Sequence, residues 1–137
     1  MVAAVVAVAS PAHAQTPPPP TLSTCKAWVQ SYGHSNSTTI YGTFIVKCPH
    51  PIVGAMWIAG FIVPYNSTHA TEASNVCVGD LHQQITQCTV TVRRSDPAGS
   101  QRYKFGFDPA YTKVSYVGST LHCYPGVLDC FAIYPYL

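Results

Sequence analysis

Charge is what this sequence has least of. Asp, Glu, Lys and Arg make up 9 % of its 137 residues, against about 25 % in an ordinary globular protein. The five acids are Glu72, Asp80, Asp96, Asp108 and Asp129. They offer no obvious pair for a hydrolase, and Asp96, Asp108 and Asp129 stand in turn-like surroundings. The seven basic residues leave a net charge of +2 and are scattered. Only Arg93 and Arg94 are adjacent, and neighbours on a strand face opposite ways, so no nucleic-acid surface is expected. No stretch has a helical period, and no apolar run reaches the roughly 20 residues of a membrane helix. Phosphate loops, dinucleotide fingerprints and the G-x-S-x-G elbow are missing. A Ser-His-Asp triad assembled by the fold would leave no such local mark. His34, His50, His69, His82 and His122 contain no i, i+2 or i, i+4 pair, so no metal centre is expected. These absences point to a non-enzymatic protein without a cofactor.

What is present begins with export. Val2–Ala9 is apolar and Ala12-His13-Ala14 fits a small-x-small cleavage site. Together they read as the core and end of a secretory signal peptide, residues 1–14, of bacterial style. The basic segment that opens such peptides is missing, and the true start is expected further upstream. Gln15–Thr21 carries four consecutive prolines and reads as a polyproline spacer, with the linker running to residue 23. Removal of 14 residues leaves 123, enough for one domain (24–137) with a real core but not for two. Six cysteines in an exported chain predict three disulfides. Many pairings are open. The sequential one, Cys25–Cys48, Cys77–Cys88 and Cys123–Cys130, is favoured because its last two bridges close short, turn-rich loops.

The stretch around which the chain is organised is Ile52–Val63, IVGAMWIAGFIV, twelve residues without a charge. Its two glycines and the Val63-Pro64-Tyr65-Asn66 turn signal argue for a strand rather than a helix. A central strand is expected, covered on both faces. Trp57, Ala59, Phe61 and Val63 would lie on one face and Met56, Ile58 and Ile62 on the other, with Trp57 and Phe61 deeply buried. Other strands are read at Thr24–Tyr32, ending in a Gly33–Ser37 turn, and at Thr39–Cys48. Thr68–Ser74 reads as a weak edge, Ile85–Arg93 as a strand with one wet face. Arg102–Phe107, Lys113–Leu121 and Cys130–Tyr134 complete the set. In Ile85–Arg93, Cys88, Val90 and Val92 point inward; in Arg102–Phe107, Tyr103, Phe105 and Phe107 do, with Arg102 and Lys104 outward. Short strands with regular turns and no helix give an all-β, two-sheet antiparallel β-sandwich, immunoglobulin-like in the loose sense, with a barrel as the alternative.

Cys25, Tyr41-Gly42-Thr43 leading into Cys48, the apolar strand, and Cys77 and Cys88 eleven positions apart resemble the pattern of small exported actinobacterial proteins of unknown function. The resemblance spans Cys25–Val92. It implies a secreted β-sandwich and no particular reaction, and it carries over no functional residue.

Two features bear on binding. Six of the nine tyrosines fall from Tyr103 onwards, and tyrosine suits binding surfaces as well as half-buried strands. Tyr111 and Tyr124 are the candidates there. His82-Gln83-Gln84, inside the Cys77–Cys88 loop, is the candidate for a braced, exposed contact loop. Asn36-Ser37-Thr38 and Asn66-Ser67-Thr68 match the glycosylation acceptor pattern, which in a bacterial chain reads as chance. The expected function is an exported binding or structural module of the envelope or extracellular space, with an unknown extracellular protein or ligand as partner. The alternative is a secreted inhibitor of an extracellular hydrolase.

Overall fold

Alternation of apolar and polar side chains builds nine strands among the described residues, and the glycines decide how closely the two resulting layers meet. The computed structural model describes residues 24–116, 118–123 and 128–137. The expected signal peptide (1–14), spacer (15–23), Tyr124 and the Tyr124-Pro125-Gly126 turn lie outside them. The strands are β1 (Lys26–Asn36), β2 (Thr39–Ile52), β3 (Gly54–Pro64), β4 (Thr71–Gly79), β5 (Ile85–Ser95), β6 (Tyr103–Phe107), β7 (Lys113–Tyr116), β8 (Ser119–His122) and β9 (Asp129–Cys130). One sheet has the order β5-β2-β1-β9. The other runs β4-β3-β7-β8, with β6 paired to β3 beyond the end of β7. All pairings are antiparallel except β1 with β9. The chain is a disulfide-stabilised two-sheet sandwich, as its composition implied.

The apolar stretch is divided between two layers. Ile52 closes β2 in the first sheet, and after Val53 the chain enters β3 in the second. Pro49 and Pro51 sit where the β2–β5 register is interrupted, between Lys47 and Ile52, since proline cannot donate to a ladder. Gly54 makes the corner possible: a Cβ there would stand 2.0 Å from the Ser115 carbonyl oxygen. Only one face of β3 is fully buried, Met56, Ile58 and Ile62. Trp57 and Phe61 are half-buried, which corrects the expectation of deep burial. Ala59, between them on that face, is fully buried. The Lys113 ammonium lies 4.7 Å from the Trp57 ring centroid and that of Lys104 5.7 Å from Phe61.

Other boundaries move for similar reasons. β1 runs through Gly33 to Asn36 by taking up two register shifts. The turn then falls at Ser37–Thr38, where the Asn36 side-chain oxygen accepts from the Thr38 amide at 2.8 Å. β4 begins at Thr71 and continues past Cys77, because Val76 and Val78 pair with Trp57 and Ala55. Lys113–Leu121 is a hairpin, turned near Gly118 at φ 79°. Cys130–Tyr134 is no continuous strand: the chain leaves β9 and touches β6 at Ile133 and Tyr136.

The sheets interlock through two phenylalanines that lie over two glycines. Phe44 of β2 rests on Gly60 of β3, where a Cβ would come within 2.5 Å of its ring. Phe105 of β6 rests on Gly42 of β2, where the same atom would come within 2.7 Å. Each sheet thus offers one ring and one slot. The rings stack with centroids 6.3 Å apart, and Phe107 meets Phe44 edge-on at 5.4 Å. Where β3 passes from β7 to β6, the buried Thr112 side chain fills the gap. Its hydroxyl accepts from the Ala59 amide at 3.1 Å and donates to the Ala59 carbonyl at 3.2 Å.

Both lateral seams between the sheets are stapled. At one, Cys77 of β4 bonds Cys88 of β5. Asn75 Nδ2 donates to the Thr89 carbonyl at 2.9 Å. Arg94 Nη1 reaches across from β5 to the His69 carbonyl at 2.7 Å and the Thr71 hydroxyl at 3.0 Å. At the other seam Cys123, just after β8, bonds Cys130 of β9. Cys25–Cys48 joins neighbouring strands of the first sheet.

Gly60→Ala is expected to cost about 1–3 kcal/mol, as overpacking does. Urea unfolding of the single and double variants with Phe44→Leu tests this. The smaller side chain should recover part of the loss, and strictly additive costs would refute the interlock. Peptide mapping without reduction should return the three sequential bridges. The Cys77→Ser/Cys88→Ser variant is expected to lose about 2–3 kcal/mol, the contribution of closing a loop of that size.

Candidate binding site

The outer face of the second sheet carries a grid set by strand register. Tyr103, Phe105 and Phe107 turn into the core, so Arg102 and Lys104 are forced outward. On one side, β3 places Val63 opposite Lys104 and Phe61 opposite Gly106, and the Tyr65 amide bonds the Arg102 carbonyl at 2.9 Å. On the other side, Arg102 pairs with Tyr136 and Phe105 with Ile133, a register that sets Tyr134 opposite Lys104. Three rows result: Tyr65–Arg102–Tyr136, Val63–Lys104–Tyr134 and Phe61–Gly106–Ala132. Gly106 is needed because the Phe61 ring crosses it, 2.7 Å from where a Cβ would be.

Arg102 is the centre of this face. Its guanidinium carbon lies 4.6 Å from the Tyr65 ring centroid and 5.7 Å from those of Tyr134 and Tyr136. Tyr65 and Tyr134 meet edge-on at 5.9 Å. Such stacking holds the planar cation while leaving its N–H edge free. Tyr65 and Tyr136 are 57 % and 68 % exposed, so the rings form a surface rather than a core. With Asn66 and Gln101 they line a cleft of about 340 Å³. A second cleft of about 270 Å³ is lined by Phe61, Lys104, Gly106 and Ala132 among others. Among the described residues the one ion pair is His34–Asp96, so neither Arg102 nor Lys104 is neutralised. The acids nearest the far end are Glu72, opposite Phe61, and Asp108. Burial first, and then the Asp108 carboxylate, raise the Glu72 carboxyl above its ordinary value.

A polar cluster lies at the same end of the molecule but faces inward. The Tyr103 hydroxyl, fully buried, donates to Asp96 Oδ1. Asp96 Oδ2 is 2.8 Å from His34 Nε2. The Asp96 amide bonds the Thr38 carbonyl at 2.7 Å. Asp96 is therefore a buried tie between strand ends, not the simple turn residue its Ser-Asp-Pro setting implied. The Tyr103 hydroxyl, first, and the His34 ring hold its carboxyl below the usual range, against burial, which pushes it up. Burial and the Asp96 carboxylate push the Tyr103 phenol up to about 12. The Ser67 hydroxyl accepts from the His69 backbone amide at 3.1 Å rather than meeting its ring, and among the described residues no group of three His, Cys, Asp or Glu gathers to hold a metal.

The residues singled out from sequence fall in three places. His82, Gln83 and Gln84 are exposed in the β4–β5 loop. That loop is folded around Asp80, whose Oδ1 accepts from the His82 and Gln83 amides at 2.8 and 2.7 Å. Its outermost side chain is Leu81, 81 % exposed. Tyr111 lies half-buried in the β6–β7 turn and does not line the cleft. Tyr124 is outside the described residues. Sequence reasoning missed Tyr65, Asn66, Gln101, Tyr134 and Tyr136, although Tyr134-Pro135-Tyr136 has the period of two that puts both rings on one face. A smaller apolar cleft of about 160 Å³ lies beside Trp28 and Pro49. No helix among the described residues is long and apolar enough to cross a membrane.

The chain matches no family model, no curated protein and no solved structure.

The cluster around Asp96 makes stability depend on pH at both extremes. A carboxyl lowered by folding adds stability that is present above its unfolded value near pH 4 and is lost as the pH falls through the lowered one. A phenol raised to about 12 adds stability that is complete below its ordinary value of 10.0 and is lost as the pH rises toward 12. Tyr103→Phe is expected to cost about 1–3 kcal/mol at neutral pH and to flatten the alkaline limb. Unfolding measured across pH checks both, and an unchanged alkaline limb would contradict the assignment.

Proposed function

We propose that this chain is an exported, non-enzymatic binding module that takes its ligand on the outer face of the second sheet, over the Tyr65–Arg102–Tyr136 row. The observation that carries the reading is Arg102, stacked among three tyrosines and left without a carboxylate partner among the described residues. Exposed tyrosines beside an arginine are the side chains that dominate recognition surfaces. Export rests on the Val2–Ala14 signal pattern and is supported by three disulfides, which persist in oxidising compartments.

A second reading, the hydrolase inhibitor, draws on Leu81 at the tip of a loop closed by Cys77–Cys88. The Asp80 turn makes that loop a compact bend, whereas an inhibitor that imitates a substrate offers an extended strand. The cleft is therefore preferred.

The test is a nitrogen-15 NMR titration with a panel of soluble glycans and peptides. Shifts are expected at Tyr65, Arg102, Tyr134 and Tyr136. Tyr136→Ala should weaken binding about tenfold, the effect of one central contact, while leaving the unfolding midpoint unchanged. Shifts confined to Leu81 and His82, with inhibition of a secreted hydrolase, would favour the second reading.

A further inference from the structure

The surface chemistry of the grid narrows the ligand further, on the premise that the cleft is the binding face. We infer that it binds an extended acidic polysaccharide whose sugar carboxylates dock on Arg102 and Lys104.

Four observations lead there. First, the two cations stand two residues apart on one strand, about 7 Å, and each lies over an aromatic ring. Neither is paired with an acid among the described residues. A stacked guanidinium presents two parallel N–H donors that match a carboxylate. Second, Arg102 lines one cleft and Lys104 another, and two separate stations along one strand suit a chain of repeating units rather than a single small molecule. Third, the lining combines aromatic rings with the Asn66 and Gln101 amides. Rings offer broad apolar surfaces to the C–H faces of sugars, and amides both donate to and accept from hydroxyls.

The fourth observation excludes the main competitors. A peptide that binds by adding a strand needs a free edge, and one read by its acids needs a cluster of arginines rather than a single one. Here the β6 edge is already taken by the chain's own C-terminal residues, through Gln101–Leu137 bonds in both directions, Tyr103 to Pro135, and Phe105–Ile133 in both directions. Nucleic acid would need more cations than two, and the Glu72–Asp108 carboxyls bound the face beyond Phe61. An acidic glycan needs neither a free edge nor a broad basic field.

The experiment titrates the full folded chain with hexameric oligogalacturonate and with the same hexamer after methyl esterification, which removes charge and keeps the sugar. A glutamate hexapeptide and an oligothymidylate are run beside them. The acidic hexamer should shift Tyr65, Arg102, Lys104 and Tyr136, and the ester should bind at least tenfold more weakly. Arg102→Lys keeps the charge but loses the fork, and should lose about tenfold. Lys104→Ala should lose less. Added salt should weaken the acidic hexamer and leave the ester unaffected. Equal binding of the ester at the same residues would overturn the acidic inference and leave the cleft reading standing. Tighter binding of the peptide or the oligothymidylate at those residues would do the same. An acidic hexamer that shifts other residues, or none, would overturn the inference. If no member of the panel moved the grid, the cleft reading would fall with it. Unchanged thermal midpoints of both variants keep loss of binding distinct from loss of fold.

Discussion

The structure depends on two aromatic rings that have no room for neighbours with side chains. Phe44 and Phe105 each lie where an opposing glycine leaves backbone bare, and this fixes how close the sheets come and in what register. β6 has five residues, too few to hold a position by its ladder alone. Phe105 anchors it. Once Phe105 is inward, alternation leaves no choice for Arg102 and Lys104. The candidate site is thus the outer consequence of an inner packing decision.

With 9 % charged residues, the protein has few ionic means of keeping two sheets together at their edges. It uses side chains that cross instead. At the β4–β5 seam a disulfide, an asparagine amide and the Arg94 guanidinium stand where a backbone ladder would continue in a closed barrel. At the β8–β9 seam a disulfide does so next to the buried Leu128. The edges of the sandwich are therefore joined to each other, which removes part of the template an open edge offers to another chain. β4, with the exposed Val76 and Val78, is also tied across the seam to β5 by a disulfide, an asparagine amide and an arginine.

Much of the fold was legible because it rests on local period and on cysteine spacing. Ile85–Arg93 and Arg102–Phe107 alternate, and the structure puts their apolar sets inward as read. The three bridges join cysteines in sequence order. What was not legible is what only tertiary pairing decides. The apolar run looks the same on both faces, yet one meets the opposite sheet while on the other only Ala59 is fully buried and the Trp57 and Phe61 rings lie under lysine ammonium groups, so the burial of Trp57 and Phe61 was overestimated. The candidate face was harder still. Tyr65 comes from a turn after β3 and Tyr136 from the C-terminal residues, and nothing local says that both border Arg102. Tyrosine enrichment drew attention to the last third of the chain, which supplies Tyr134 and Tyr136 to the candidate face, but it singled out Tyr111, which belongs to a different turn.

The bridges also shape the order in which the molecule can be made. Their partners are 23, 11 and 7 residues apart, and none encloses another. A chain delivered amino end first would have each cysteine's partner in hand before the next pair emerged, so oxidation could proceed step by step without reshuffling. The strand that arrives last, β9, pairs with the first, at Lys26–Asp129 and Ala27–Cys130. Closure of the first sheet therefore waits for β9, and the Arg102–Tyr136 pairing waits for residues that follow β9. A molecule with only Cys25–Cys48 and Cys77–Cys88 in place therefore has neither the β1–β9 pairing nor the row opposite Arg102.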